Sequence, residues 1–314
     1  MSKPFLTIVE QVELLKSRGM RVDESTASIL AREGYYSIVN GYKDPFLDRE
    51  ATRAARDDRF VEGSSFESMY ALFSFDRLLR DHTFCYLIRA EATVRTAVSY
   101  CFSDAHREAD AYLLQSNYCT LDEYERYGLP ADRYGSEFAR LISCLAEARD
   151  KSRMDFIAHY RKNYGSVPLW VLSNGLTFGN LEHFFNLMKP DEKASVCRMI
   201  AESTGRLGEG KLGFFGVSEA RIGLEVLVRF RNVCAHDERL YCAEVGRRKN
   251  VSYMGMVRYL ERYLTRDEYL EFINGIANLL DESLNSDPAL SSVLSSVGFE
   301  KLSSLAKCEL VNGE

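Results

Sequence analysis

The chain has 314 residues, 46% of them hydrophobic and 27% charged, with a formal net charge of −6. That length admits one large domain or two small ones, and the apolar share is enough for a real core. The acidic balance excludes a protein coated in basic surface for nonspecific nucleic-acid binding, though it leaves room for a local basic site.

No apolar run reaches the roughly 18 residues of a membrane span. The opening MSKPFLTIVEQ lacks the apolar stretch and cleavage site of a secretory signal. Cys85, Cys101, Cys119, Cys144, Cys197, Cys234, Cys242 and Cys308 form no C-x-x-C pair, so the expected location is the reducing cytoplasm. The nearest approach to metal-ligand spacing, His82-x-x-Cys85, has no second half. Neither a metal nor a cofactor is expected.

Residues 7–18 read as a first helix, with Thr7 and Glu10 at capping-box spacing and Gly19 as its stop. A second helix covers 24–33, after which GYYSIVNGYKDPF turns through Gly41 and Pro45. Residues 46–64 are charged and contain Gly and Ser, which suits a loop or short hinge. From 65 to 103 apolar residues recur at spacings of three and four, the mark of a long helix. The stretch 104–134 is polar and tyrosine-rich, suited to short helices and loops. Helices are expected at 135–163, 169–187, 191–203 and 218–236, with a glycine-rich loop at 205–216 and a last helix at 266–284. No period-two strand stands out, so the fold class is all-α. The domains expected are an N-terminal helical extension (1–64), a helical domain (65–290) and a tail (291–314).

GRLGEGKL, residues 205–212, has the G-x4-G-K spacing of a phosphate-binding loop. The next position should be Ser or Thr to hold magnesium and is Leu212, and a helix precedes it where a strand should. A loop between helices is the better reading.

RNVCAH, residues 231–236, places polar groups in an apolar helix. At about 100° per residue, Gly223, Val226, Leu227, Phe230 and Cys234 share the face that would be buried. Glu225, Arg229, Asn232 and His236 form a polar stripe opposite. Arg231 lies about 140° from His236 on a regular helix. The two could flank one groove if the helix ends near Ala235, or meet a second copy across a two-fold axis. Between Arg221 and Arg262 nine Lys/Arg stand against five Asp/Glu, a local excess of +4 that includes Arg229, Arg239, Arg247, Arg248 and Lys249.

Histidine can act as acid or base near neutrality, and the arginine fork suits phosphate oxygens. Together they match metal-free RNA cleavage. The histidine moves a proton and the arginine stabilises charge on phosphorus, leaving 2′,3′-cyclic phosphate and 5′-OH ends. A solvated helical stripe held by pairs such as Glu225–Arg229 accounts for the same residues.

RNVCAH fits the R-N-x-x-x-H form of the R-x4–6-H motif of HEPN ribonucleases. The wider chain resembles the Abi-like (abortive infection, AbiD/AbiF-type) family. KPFLTIVEQVELLKSRGM, GYYSIVNGYKDPF, FDRLLRDHTFCYLIRAEATVRTAVSY, HYRKNYGSVPLWVLSNGLTFGNLEHFF and RFRNVCAHDERLY follow one another as in that family, over roughly residues 3 to 285. The resemblance implies a HEPN-like helical bundle behind an N-terminal helical extension. It implies a metal-independent endoribonuclease of phage defence or of a toxin–antitoxin pair, with a noncatalytic RNA- or protein-binding module as the alternative.

Carried over, Arg231, Asn232 and His236 are the catalytic residues. Glu91 and Arg95 match the family's Glu-x3-Arg. Glu91 either holds Arg231 or forms a surface pair with Arg95; Asp76 and Arg80 have the same spacing and leave the same choice. Arg229, Arg239, Arg247, Arg248, Lys249, Lys43 and Tyr42 are the RNA-binding set, with Tyr35 and Tyr36 near Tyr42 suited either to stacking on bases or to packing. His159, Tyr160 and Lys162 suit capping or packing better than RNA contact, and Trp170 and Phe178 belong in the core. The expected partners are an RNA substrate, a noncoding RNA or protein antitoxin, and a second copy of the chain, since the R-N-x-x-x-H form of the motif occurs once. A membrane is not among them. HDERLY departs from the commoner form: Asp237 and Glu238 would favour protonated His236 and repel phosphate, with Arg239 compensating.

Overall fold

The computed structural model describes residues 4–207, 215–246 and 251–302. Helix α1, Ile8–Ser17, starts at the expected capping box, where the Thr7 side chain accepts from the Glu10 amide and Glu10 accepts from the Thr7 amide at 2.7 Å. It stops at Gly19, whose φ of +91° is the left-handed conformation glycine reaches without strain. Helix α2, Thr26–Glu33, is followed by a π-turn at Tyr36–Asn40 and a 3-10 turn at Asp44–Phe46.

The expected loop at 46–64 contains a helix. Asp48 accepts from the amides of Glu50 and Ala51 and so caps α3, Arg49–Ala55, and Arg56 ends it with φ +53°. Helix α4, Phe66–Ala105, has 40 residues, about 60 Å of length. Helix α5, Leu121–Arg126, opens with its own capping box at Thr120 and Glu123.

The single helix expected at 135–163 is two, α6 (Ala131–Lys151) and α7 (Asp155–Tyr164). The Arg161 guanidinium donates to the carbonyls of Arg149 at 2.6 Å and Ser152 at 3.0 Å, which satisfies acceptors exposed by the break. The segment 169–187 also divides. A short α8, Leu169–Leu172, runs into a 3-10 turn, and Thr177 with Asn180 caps a new helix α9, Phe178–Leu187. Helices α10 (Pro190–Ser203), α11 (Val217–Ala235), α12 (Tyr253–Leu260) and α13 (Arg266–Ser286) follow. The helix at 266 is not the last, since α14 covers Leu290–Ser296. Two short antiparallel strands, β1 (Glu244–Val245) and β2 (Val251–Ser252), escaped the sequence reading because two residues carry no period. Among the described residues the fold is all-helical apart from this strand pair and two isolated bridges. No disulfide joins any of the seven described cysteines.

Packing groups the described residues into two compact units. The first comprises those of Met1–His82, Asp237–Ala243 and Phe272–Glu314, so the expected extension 1–64 lies wholly within it. Its α1 and α2 pack together, and Phe75 meets Phe299 edge-on at 5.6 Å. The His82 ring lies against α13, with Nε2 2.9 Å from the Phe272 carbonyl. A Cβ on Gly275 would stand 2.2 Å from that ring, so glycine is what lets the histidine approach the helix.

The second unit comprises Thr83–His236 and Glu244–Glu271. Helix α11 packs on α9 and α12. Gly223 admits the rings of Tyr259 and Tyr263, whose atoms come within 3.1–3.2 Å of an added Cβ. The Tyr263 hydroxyl donates to the Ala220 carbonyl at 3.1 Å. Phe230 is fully buried and meets the Tyr253 ring.

Candidate functional site

Helix α11 buries Ala220, Gly223, Leu224, Val226, Leu227, Val228 and Phe230. Cys234, expected on that face, is only half-buried. The helix ends at Ala235. His236 is the C-cap with φ −100° and ψ 12°, and its amide still donates to the Asn232 carbonyl at 2.9 Å. Asp237 then turns left-handed at φ +55°, a conformation Asp tolerates better than most residues. The His236 side chain is therefore exposed where the helical direction is abandoned, and no side-chain hydrogen bond or ion pair engages it among the described residues. Asn232 is exposed and its Oδ1 accepts from Arg231 Nη1 at 3.4 Å. Arg229 pairs with Glu225 at 3.1 Å across one helical turn, the pair the stripe suggested.

Glu91, on α4, is 5% exposed. Its Oε1 accepts from Arg95 Nη2 at 2.5 Å. Its Oε2 lies 3.5 Å from Nε of Arg231, and both of those atoms are buried without a hydrogen bond. Arg95 Nε donates to the Ser173 carbonyl at 3.1 Å. Glu91 thus faces both Arg231 and Arg95, and its pair with Arg95 is not the surface pair that the spacing left open. One buried carboxylate faces two guanidiniums, which leaves a local positive excess beside the motif.

A second polar cluster lies in the first unit. The Asp76 side chain is fully buried and accepts from the Tyr42 hydroxyl at 2.7 Å, Arg80 Nη1 at 2.7 Å, the Leu240 amide at 3.0 Å and the Tyr241 amide at 2.6 Å. Burial pushes the Asp76 carboxyl above its ordinary value, against the pull of these donors. Arg80, 3% exposed, also donates to the Glu238 carbonyl at 3.3 Å and to the Asp237 carboxylate. The Asp-x3-Arg spacing marked the pair; nothing local in the sequence marks its distant partners.

This cluster corrects several expectations. Tyr42 is buried, stacked beside Tyr241 and edge-on to Phe73, so it offers no face to a base. Burial, with Asp76 alongside, pushes its hydroxyl well above the ordinary tyrosine value. Lys43 is bound to Asp58 at 2.6 Å. Arg239 donates to the Gly41 carbonyl at 2.8 Å and faces Asp44 at 3.3 Å within its own unit. Asp237, expected to repel phosphate, is engaged by Arg80. Arg247, Arg248 and Lys249 lie outside the described residues. Tyr35 is half-buried and accepts from Arg18 at 3.2 Å, whereas Tyr36 is exposed. Phe178 is buried as expected, but Trp170 is 57% exposed. His159 is exposed and lies 3.0 Å from the Asn163 amide nitrogen.

Among the described residues, no group of three or more His, Cys, Asp or Glu is placed to hold a metal ion, and no helix is long and apolar enough to cross a membrane. Fold and site define an all-helical protein whose R-x4-H segment closes a packed helix beside a buried carboxylate. The chain belongs to the Abi-like protein family, whose model matches residues 28–242, a span that includes Glu91, Arg95, Arg231, Asn232 and His236. No curated protein and no solved structure matches the chain.

Proposed function

We propose that this Abi-like protein is a HEPN-type, metal-independent endoribonuclease acting in phage defence by abortive infection or as the toxin of a toxin–antitoxin pair. The supporting observation is the paired placement of Arg231 against buried Glu91 and of exposed His236 at the end of the same helix. His236 takes the proton of a ribose 2′-OH. The 2′ oxygen bonds to phosphorus, the P–O5′ bond breaks, and the departing O5′ takes a proton from water or from the histidine of a second copy. The products are a 2′,3′-cyclic phosphate and a 5′-OH. Arg231, oriented by Glu91, offers its terminal N–H groups to the phosphoryl oxygens as charge builds on them, and Asn232 steadies the arginine. A homodimer would supply the second motif, and an RNA or protein antitoxin would restrain the enzyme.

The test is cleavage of end-labelled single-stranded RNA in EDTA by wild type and His236→Ala at matched folding by circular dichroism. Cleavage by wild type alone, with cyclic-phosphate ends, supports the assignment; equal cleavage by both overturns it. One observation favours a second reading, a noncatalytic RNA-binding module: Nε of Arg231 faces Glu91, away from solvent. That reading expects RNA affinity without cleavage and no effect of His236→Ala on either.

A further inference from the structure

A cleft of about 860 Å³ opens in the second unit, between the C-terminal turns of α4, the segment after it, and the turn at α8. That volume lies within the range of small-molecule sites. Trp170 and Tyr100 line it, 57% and 60% exposed. Trp170 is turned outward because Leu169, Val171 and Leu172, its neighbours in a four-residue helix, are all buried. Two large aromatic side chains left open on the lining of one cleft form a surface that a flat apolar ligand would cover.

The charges of the cleft narrow the ligand. Arg95 and Arg107 stand against Asp104, Glu108 and Asp110. Arg107 is paired with Asp104 at 2.5 Å, and Arg95 is held by Glu91 and the Ser173 carbonyl. A run of phosphates would meet no free excess of positive charge here. The acids are engaged as well, Glu108 by Asn117 and Asp110 by Arg149 and Tyr112, but Asn174 spends its amide nitrogen on the carbonyls of Trp170 and Val171, leaving Oδ1 an acceptor without a hydrogen bond among the described residues. Aromatic faces with acceptors around them suit a nucleobase, whose N–H edge they can read, rather than a phosphate backbone. One lining residue connects the cleft to the motif, since Arg95 shares the carboxylate of Glu91 with Arg231.

We propose that this cleft is a nucleobase subsite, in which an unstacked base of single-stranded RNA lies against Trp170 and Tyr100 and presents its polar edge to Asn174 and the neighbouring acceptors. The inference rests on RNA being the substrate. Trp170 is the only tryptophan in the chain, so its emission reports on this cleft alone.

The experiment titrates the full chain with the four nucleoside monophosphates and with a mixed-sequence, single-stranded 2′-O-methyl oligonucleotide, which lacks the 2′-OH needed for cleavage. Tryptophan emission and the anisotropy of the labelled oligonucleotide are read together. The expected result is saturable quenching, with affinity weakened roughly 10-fold in Trp170→Ala and largely kept in Trp170→Phe. Oligonucleotide binding that leaves the emission unchanged and is equal in Trp170→Ala overturns the subsite. So does the absence of binding, or an emission change produced only by a co-purifying polypeptide. Cleavage of ordinary RNA by the same preparation separates the two claims. Cleavage without quenching keeps the ribonuclease and removes the subsite; quenching without cleavage does the reverse.

Discussion

Glu91 Oε2 and Arg231 Nε lie 3.5 Å apart, buried, and neither makes a hydrogen bond. The other oxygen of the same carboxylate is taken by Arg95, one turn along α4. Removing the charge while keeping the shape, Glu91→Gln, leaves two guanidiniums facing a neutral amide. Breaking a buried pair in this way costs on the order of 3 kcal/mol, which urea unfolding would read. RNA cleavage, measured where both proteins are folded, should also fall; unchanged stability and unchanged cleavage would deny Glu91 a role toward Arg231.

His236 offers the opposite case. It is exposed, its side chain is unengaged, and its backbone supplies the cap. His236→Ala should change stability by less than about 0.5 kcal/mol while lowering cleavage by roughly 10²- to 10⁴-fold. A thermal melt that shifted strongly would show that the histidine supports the fold instead.

Asp76 and Asp237 both touch Arg80, but they should not be equivalent. Asp76→Asn disturbs a fully buried acceptor of four hydrogen bonds and should cost about 3–5 kcal/mol. The Asp237 side chain is 74% exposed, and Asp237→Asn should cost less than about 1 kcal/mol. Denaturant midpoints of the two variants decide the matter, and equal costs would contradict the burial argument.

Lys193 is 1% exposed, lies 4.5 Å from the Tyr127 ring, and its amine makes no hydrogen bond. Burial lowers it from the ordinary 10.5 to about 8. The unfolded chain therefore binds more protons than the folded one between those values, and stability rises with pH across that window. Below it the penalty is complete; above it the penalty is gone. Lys193→Met should be the more stable protein at pH 7 by on the order of 3 kcal/mol, and its advantage over wild type should shrink as the pH approaches 10.5. A constant advantage would place the amine in a wetter environment.

Much of this was readable from spacing. The capping box at Thr7 and Glu10, the long helix α4, and the end of α11 at Ala235 are local events, set by side chains within a few residues of each other. On α11, Gly223, Val226, Leu227 and Phe230 are buried as their period implied, while Cys234 at the helix end is only half-buried. The helix breaks after Lys151 and Leu172 carry no proline to mark them, and the chain turns there on a reach-back by Arg161 and a new cap at Thr177.

The all-helical class, the family and the polar residues that could form a site are legible along the chain, because periodicity, capping and motif spacing are properties of neighbours. Which charges are available was decided only by the tertiary structure. Arg239, Lys43 and Tyr42 read as a basic, aromatic surface, yet each is committed to a partner within its unit: Arg239 to the Gly41 carbonyl and Asp44, Lys43 to Asp58, and Tyr42 to Asp76. Glu91 meets Arg231 across 140 positions of chain, and Trp170 is exposed because its three apolar neighbours are not. A charge or an aromatic ring is free for a ligand only when no distant residue has taken it, and distance along the chain says nothing of that.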